Sequence, residues 1–128
     1  MVGVRYIVDD VEAAVAFYTE QLGFSVAMFP APEFAALDHG DLRLYLSAPR
    51  GPGGGARAAV DGSMPVAGGW NRFQLVVSDV AADAERLRAA GARLRVELQV
   101  GMAGSQIVVE DPSGNPIELF QPAEQPPG

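Results

Sequence analysis

Hydrophobic and polar positions follow the same order in two segments of the chain. Residues 4–24 (VRYIVDDVEAAVAFYTEQLGF) begin with strand-like alternation and continue into apolar positions at helical spacing, up to Gly23. Residues 73–94 (FQLVVSDVAADAERLRAAGARL) repeat this order, with Gly91 as the stop. A glycine after the last helical turn predicts a left-handed C-cap in each case. Each segment therefore predicts one strand followed by one helix.

The residues before each apolar stripe predict where the helices begin. Asp9 and Glu12 have the spacing of a capping box, and Asp79 or Ser78 is placed to cap the second helix. The stripes expected to face the core are Val11, Ala14, Val15, Tyr18 and Leu22 in the first helix, and Val80, Ala84, Leu87 and Gly91 in the second.

Three short strand candidates follow each helix. They are residues 24–29, 34–38 and 42–47 after the first helix, and residues 93–98, 105–110 and 116–120 after the second. His39, Gly40 and Asp41 are expected to form a hairpin turn. The chain is therefore βαβββ twice, offset by about 70 residues, which predicts an α+β fold of two modules.

These modules predict a single domain over residues 1–122, with module one at 1–48 and module two at 70–122. Residues 49–69 form a Gly/Pro-rich connector, which is either a mobile lid or a plain linker. Residues 123–128 are expected to be a flexible tail.

Composition narrows the class of function. The chain has 128 residues, 48% of them hydrophobic, and a formal net charge of −7 in which every basic residue is arginine. An acidic surface disfavours nucleic acid, and no apolar run is long enough to span a membrane. The chain has no cysteine, which excludes disulfides and thiolate chemistry. No signal peptide is evident, so the expected location is the cytoplasm.

Strand alternation predicts which side chains face away from the helices. Because Ile117 and Leu119 would face the core, Glu118 must point to the opposite face of its strand. The same parity gives the other side chains of that face: Gly3, Arg5 and Ile7 on the first strand, Arg43, Tyr45 and Ser47 on the fourth, Trp70, Arg72 and Gln74 on the fifth, and Glu118 and Phe120 on the eighth.

Several motifs resemble the vicinal oxygen chelate superfamily. They are the V-x-D-V opening of each helix, FYTEQLGF at the end of the first helix, and DPSGNPIEL near the end of the chain. This superfamily includes glyoxalases, extradiol dioxygenases, fosfomycin-modifying enzymes and bleomycin-binding resistance proteins. The resemblance implies the glyoxalase/bleomycin-resistance fold, in which two βαβββ modules form a cup-shaped sheet with helices on its convex side.

In enzymes of that superfamily a divalent metal is held at four strand positions. The resemblance places them at Gly3, Tyr45, Arg72 and Glu118, of which only Glu118 is an ordinary ligand. An arginine would repel the metal. His39, the only histidine, is expected in a turn away from these strands. We therefore expect no metal and no cofactor.

In place of a metal, we expect an ion pair between Arg72 and Glu118. A buried carboxylate without a partner costs several kcal/mol. The pair has two interpretations: it is a purely structural contact, or it touches a ligand directly.

A cup lined by aromatic and polar side chains, without metal or nucleophile, favours binding over catalysis. The resemblance is strongest to resistance proteins that sequester a bulky aromatic natural-product antibiotic unchanged. It implies a homodimer with ligand sites at the interface, and it leaves open whether the first strand is exchanged between subunits. The expected ligand-binding residues are Phe29, Tyr45, Trp70, Arg72, Gln74, Met102, Glu118 and Phe120.

Two other functions remain open at this point. One is a metal-independent lyase or isomerase of the same superfamily that uses Glu118 as a general base. The other is a protein without a small ligand, whose cup forms only a dimer interface. No residue is predicted to be catalytic in the favoured interpretation, and whether the chain is an enzyme stays undecided, with binding favoured over catalysis.

Overall fold

The computed structural model describes residues 1–49 and 56–124. Its elements, in chain order, are β1 (Val2–Ile7), α1 (Val11–Leu22), β2 (Ser25–Ala31), β3 (Phe34–His39), β4 (Leu42–Ser47), β5 (Gln74–Val76), α2 (Val80–Ala89), β6 (Leu94–Val100), β7 (Gly104–Glu110) and β8 (Pro116–Pro122). The order βαβββ occurs twice, which confirms the predicted α+β architecture. Residues 50–55 of the predicted connector and 125–128 of the predicted tail lie outside the described residues.

The two modules build sheets of identical topology. The first sheet has the order β1-β4-β3-β2 and the second has the order β5-β8-β7-β6. In each sheet the strand before the helix pairs in parallel with the last strand of the module, and the remaining pairs are antiparallel. The repeat in the sequence is therefore a repeat of strand pairing as well.

Each helix buries most of its predicted apolar stripe against its own sheet, whereas Val15 is half-buried and Gly91 is exposed beyond the end of α2. Val11, Ala14, Tyr18 and Leu22 are buried on α1, and Val80, Ala84 and Leu87 are buried on α2. The strand residues that complete the two cores include Leu37, Leu44 and Leu46 in the first sheet and Ile107, Ile117 and Leu119 in the second. Burial of these aliphatic side chains is the main favourable term in each core.

The first helix begins one residue later than the sequence suggested. Asp10, not Asp9, is the N-cap, and its carboxylate accepts a hydrogen bond from the Ala13 N–H at 3.1 Å. The Asp9–Glu12 capping box is therefore wrong. Asp9 instead donates its backbone N–H to the Ser113 hydroxyl at 2.9 Å, which holds it outside the helix. Gly23 takes the predicted left-handed conformation, with φ of 74°.

The second helix follows the prediction. Asp79 is the N-cap and accepts a hydrogen bond from the Ala82 N–H at 3.1 Å. Gly91, two residues after the end of α2, has φ of 86°, a value that favours glycine because it has no Cβ. Neither helix in the part of the chain that the structure describes is long and apolar enough to cross a membrane.

Strand boundaries differ from the sequence prediction mainly at the sheet edges. The edge strand β2 extends to Ala31, past Pro30, because a proline at an edge interrupts no interior ladder. The edge strand β6 extends to Val100 through two shifts of register. His39 lies at the end of β3 opposite Leu42, so the hairpin turn contains only two residues. The expectation that His39 lies in the turn is therefore wrong.

The chain separates into two compact units. The first contains residues 1–69 together with Pro112–Asn115, and the second contains residues 70–111 and 116–128. The described part of the connector, residues 56–69, thus belongs with module one. Pro112–Asn115, the last four residues of the DPSGN motif, also belong to the first unit, although in sequence they lie within module two.

Buried Asn115 ties this turn to the first unit. Its side-chain amide donates to the Ile7 carbonyl at 2.8 Å, and its side-chain oxygen accepts from the Gly68 N–H at 2.8 Å. One side chain therefore satisfies the backbone at the end of β1 and in the connector. The asparagine of the DPSGN motif has a structural role here.

Replacing Asn115 should destabilise the protein. Asn115→Ala leaves one donor and one acceptor of the backbone unpaired, and we expect a loss of about 2–4 kcal/mol in the free energy of unfolding. Urea unfolding followed by circular dichroism measures this loss. Asn71→Ala, at an exposed asparagine, is the matched control and should change stability by less than about 0.5 kcal/mol. Equal stability of the two variants would contradict the assigned role.

Candidate functional site

The candidate site lies on the face of the second sheet that points away from its core. Ile117 and Leu119 are buried on one side of β8, so Glu118 and Phe120 project from the other. On the neighbouring strand, Gln74 pairs in register with Glu118. Strand alternation alone therefore brings these polar side chains together.

Glu118 is held by two partners through both of its oxygens. The Arg72 guanidinium donates to Oε1 from Nε at 3.1 Å and from Nη2 at 2.9 Å. The Gln74 amide donates to Oε2 at 2.6 Å. The side chain of Glu118 is only 12% exposed and that of Arg72 is 25% exposed. The predicted ion pair is confirmed, and Gln74 is an additional partner.

Arg72 also connects this cluster to Trp70. Its Nη1 donates to the Trp70 carbonyl at 3.3 Å, which sets the direction of the chain just before β5. The Trp70 residue is 62% exposed, a high fraction for an indole. The backbone of Trp70 is thus tied to the charged cluster, and the residue remains largely accessible to solvent.

Arg95 and Glu110 extend the cluster, and the sequence analysis did not identify them. The Arg95 guanidinium lies 4.7 Å from the centre of the Trp70 ring, and its Nε donates to Glu110 at 2.8 Å. Alternation along β7 could have indicated Glu110, because it lies on the same face as Val108, the partner of Glu118. Arg95 had no such signal, because it lies at a shift of register in β6.

The remaining residues predicted for this part of the site have different surroundings. Phe120 lies on the same face as Glu118, and its ring is so near Gly104 that a Cβ there would be 2.8 Å from Cζ. Met102 is fully exposed in the turn between β6 and β7. Phe120 is therefore fixed by packing, whereas Met102 contributes an open apolar surface.

In the first unit, Tyr45 occupies the position that corresponds to Glu118. Tyr45 pairs with Arg5 across parallel strands in the same way that Glu118 pairs with Gln74. Its ring stacks on Phe34 with centroids 6.1 Å apart, and the Arg5 guanidinium lies 5.2 Å from its centre. Aromatic and cation–π contacts thus replace the ion pair of the second unit.

Phe29 lies elsewhere in the first unit. It lines a cavity of about 690 Å³ together with the loop before α1, the turn between β2 and β3, and Ala48. In the same unit, Arg43 donates two hydrogen bonds to Asp38, at 2.7 and 3.0 Å, which lowers the pKa of that carboxyl below its usual value. Arg43 is therefore compensated within its own sheet.

The four positions at which related enzymes hold a metal do not fit one here. A Cβ on Gly3 would be 2.9 Å from the Tyr45 ring, which covers this position. Arg72 is a cation, and both oxygens of Glu118 already accept hydrogen bonds. Across residues 1–49 and 56–124, no three His, Cys, Asp or Glu side chains are grouped as metal ligands. A divalent cation needs more oxygen or nitrogen ligands than this arrangement offers.

Comparison with protein-family models identifies the family of this chain. The model of the Glyoxalase/Bleomycin resistance protein/Dioxygenase superfamily matches residues 2–119. No curated protein matches the chain in sequence.

Solved structures share the fold over most of their length. TnmS3, an antibiotic binding protein from Streptomyces sp. CB03234, is 26% identical with a TM-score of 0.71, covering 96% of each chain. A member of the same superfamily from Sphaerobacter thermophilus DSM 20745 is 21% identical with a TM-score of 0.73, covering 94% of this chain and 95% of that one. Lactoylglutathione lyase from Agrobacterium tumefaciens is 20% identical with a TM-score of 0.68, covering 94% and 92%. The last two show the fold alone.

A double-mutant cycle should detect the coupling between Arg72 and Glu118. Removing one partner leaves a poorly exposed charge, so Arg72→Leu or Glu118→Leu should each cost about 1–3 kcal/mol. The double variant should lose less than the sum, by about 1–2 kcal/mol, in urea unfolding. The pair Asp83 and Arg86 on α2 is more exposed, at 26% and 44%, and its charges are 3.6 Å apart, so it serves as control and should couple by less than about 0.5 kcal/mol. Additive losses at Arg72 and Glu118 would contradict the interaction.

Proposed function

Because this chain belongs to the glyoxalase/bleomycin resistance protein/dioxygenase superfamily, we propose that it binds a bulky aromatic natural product without a metal and releases it unchanged. Its biological effect would be resistance to an antibiotic through sequestration. The superfamily contains both enzymes and binding proteins, so the choice between them depends on the side chains of this chain.

One observation carries the proposal. Both oxygens of Glu118 are engaged by Arg72 and Gln74, beside an indole ring that is 62% exposed. A carboxylate held in this way is a structural anchor for its donors, whereas a general base needs an oxygen directed at the substrate. The side chains of this part of the sheet that remain accessible include Trp70 and part of Arg72. They are suited to stacking and hydrogen bonding.

Each predicted ligand-binding residue has a proposed part in this function. Trp70 stacks on the aromatic portion of the ligand, while Arg72 and Gln74 hydrogen-bond to its oxygens and Glu118 holds both donors in place. Met102 and Phe120, in the same unit, would provide apolar contacts to the rest of a large ligand. Phe29 and Tyr45 lie in the first unit and stay predicted ligand-contact residues there. The chain is 26% identical to TnmS3, an antibiotic binding protein, and this similarity supports antibiotic binding as the function.

We also propose that the protein is a homodimer. Large apolar side chains are exposed on the edge strands, with Val26 and Met28 on β2 and Leu98 and Val100 on β6. Edge strands with exposed apolar residues are surfaces that proteins usually cover. Light scattering coupled to size-exclusion chromatography should give twice the chain mass of 13.4 kDa. A monomer at all concentrations would contradict this proposal.

Binding is measurable through Trp70, the only tryptophan of the chain. Titration with a panel of aromatic antibiotics should quench its fluorescence by a one-to-one stoichiometry, and chromatography should recover the ligand unchanged. Arg72→Ala should weaken binding by about 10- to 100-fold, the effect of losing a charged hydrogen bond. Arg86→Ala, the same substitution on α2, should leave the affinity unchanged.

Two results would overturn the proposal. Loss of binding after treatment with EDTA would show that a metal is required. Conversion of the ligand by the wild-type protein, abolished by Glu118→Gln, would identify a lyase or isomerase that uses this carboxylate as a base.

A further inference from the structure

Trp70 is supported on one side by a buried arginine. The Arg95 side chain is 14% exposed, lies 4.7 Å below the centre of the indole ring, and is held in that place by Glu110, which is 13% exposed. Trp70 itself remains 62% exposed. The ion pair therefore lies beneath the ring, and most of the ring surface stays in contact with solvent.

The contact with Arg95 restricts the rotamers of the Trp70 side chain before any ligand binds. An exposed tryptophan on a chain segment without regular structure samples several rotamers, and ordering it costs free energy on association. A planar guanidinium over the ring favours one orientation, since cation–π attraction and the hydrogen bond from Arg95 Nε to Glu110 act together. The indole is thus prepared as a platform for a flat ligand before the ligand arrives.

The ion pairs near this platform contain more guanidinium groups than carboxylates. Arg72 pairs with Glu118, while Arg93 and Arg95 both lie within 4 Å of Glu110. These pairs thus contain one more cation than anion, in a chain whose formal net charge is −7. The local field therefore attracts anionic groups, in opposition to the overall charge.

We infer that Arg95 is a positioning and specificity residue, and that the ligand is a planar aromatic bearing an anionic or strongly hydrogen-bond-accepting group, such as a phenolate, carboxylate or sulfonate. The flat ring stacks on the outer face of Trp70, and the acceptor group lies toward Arg72 and Arg93. This inference rests on the proposed binding function and specifies the chemistry of its ligand.

Matched pyrene probes test the inference. 1-Pyrenesulfonate and 1-pyrenemethylammonium share one flat ring system and carry opposite charges, and energy transfer from Trp70 reports their proximity. The wild-type protein should bind the sulfonate at least about tenfold more tightly, although its net charge favours the ammonium. Arg95→Ala should reduce this ratio by about tenfold and weaken the near-ultraviolet circular dichroism of the indole.

Two further variants separate charge from positioning. Glu110→Gln keeps the charge of Arg95 but removes the charge of its hydrogen-bond acceptor, so Arg95 is held less firmly. The near-ultraviolet dichroism should therefore weaken while the preference for the sulfonate persists. Arg95→Lys, which retains the charge without the planar group, should restore part of the preference that Arg95→Ala loses. Arg86→Ala, on α2, should match the wild type in both measurements.

The outcomes distinguish this inference from the proposed function. Equal affinity of the wild type for the two probes would overturn the inference. So would folded Arg95→Ala and Arg95→Lys variants that keep both the wild-type affinity ratio and the wild-type near-ultraviolet dichroism. In either case, binding of antibiotics in the panel would still support sequestration. Failure of the wild type to bind either probe or any antibiotic would overturn both.

Discussion

A nearly buried carboxylate on an interior strand must be compensated, and the compensation of Glu118 determines the chemistry of the second sheet. Arg72 supplies the opposite charge, and Gln74 occupies the remaining oxygen. Arg72 also donates from Nη1 to the Trp70 carbonyl, so the backbone of Trp70 is tied to the ion pair. The compensation of one carboxylate thus also positions the segment that carries the indole.

The two sheets satisfy the same topology with different chemistry. The position of Glu118 is occupied in the first sheet by Tyr45, and the position of Arg72 by Gly3, over which the tyrosine ring lies. One module is therefore aromatic where the other is ionic. A repeated backbone has been kept while its outward side chains have diverged, which is how one fold accommodates unrelated functions.

Much of this arrangement was predictable from the sequence because it depends on the two-residue alternation of side chains along a strand and on the repeat of the βαβββ unit. Alternation along β8 assigned Glu118 to the open face, and the resemblance to the superfamily placed Arg72, just before β5, at the neighbouring metal position. Where the chain departs from strict alternation, prediction failed. Arg95 lies at a bulge of β6, so its direction could not be read from parity. The N-cap of α1 is Asp10, whereas the sequence predicted Asp9. The Asp9 N–H donates to Ser113, which lies more than 100 residues away, and the local sequence gives no sign of this contact.

The hydrogen bonds of Asn115 have a consequence for how the molecule is made. This residue lies near the end of the chain, yet it satisfies the backbone of β1 and of the connector. During synthesis, the amino-terminal half emerges from the ribosome long before its last polar contacts exist. The first unit therefore lacks these two hydrogen bonds until Asn115 has been synthesised, and a nascent chain halted before that residue would leave the Ile7 carbonyl and the Gly68 N–H without this partner.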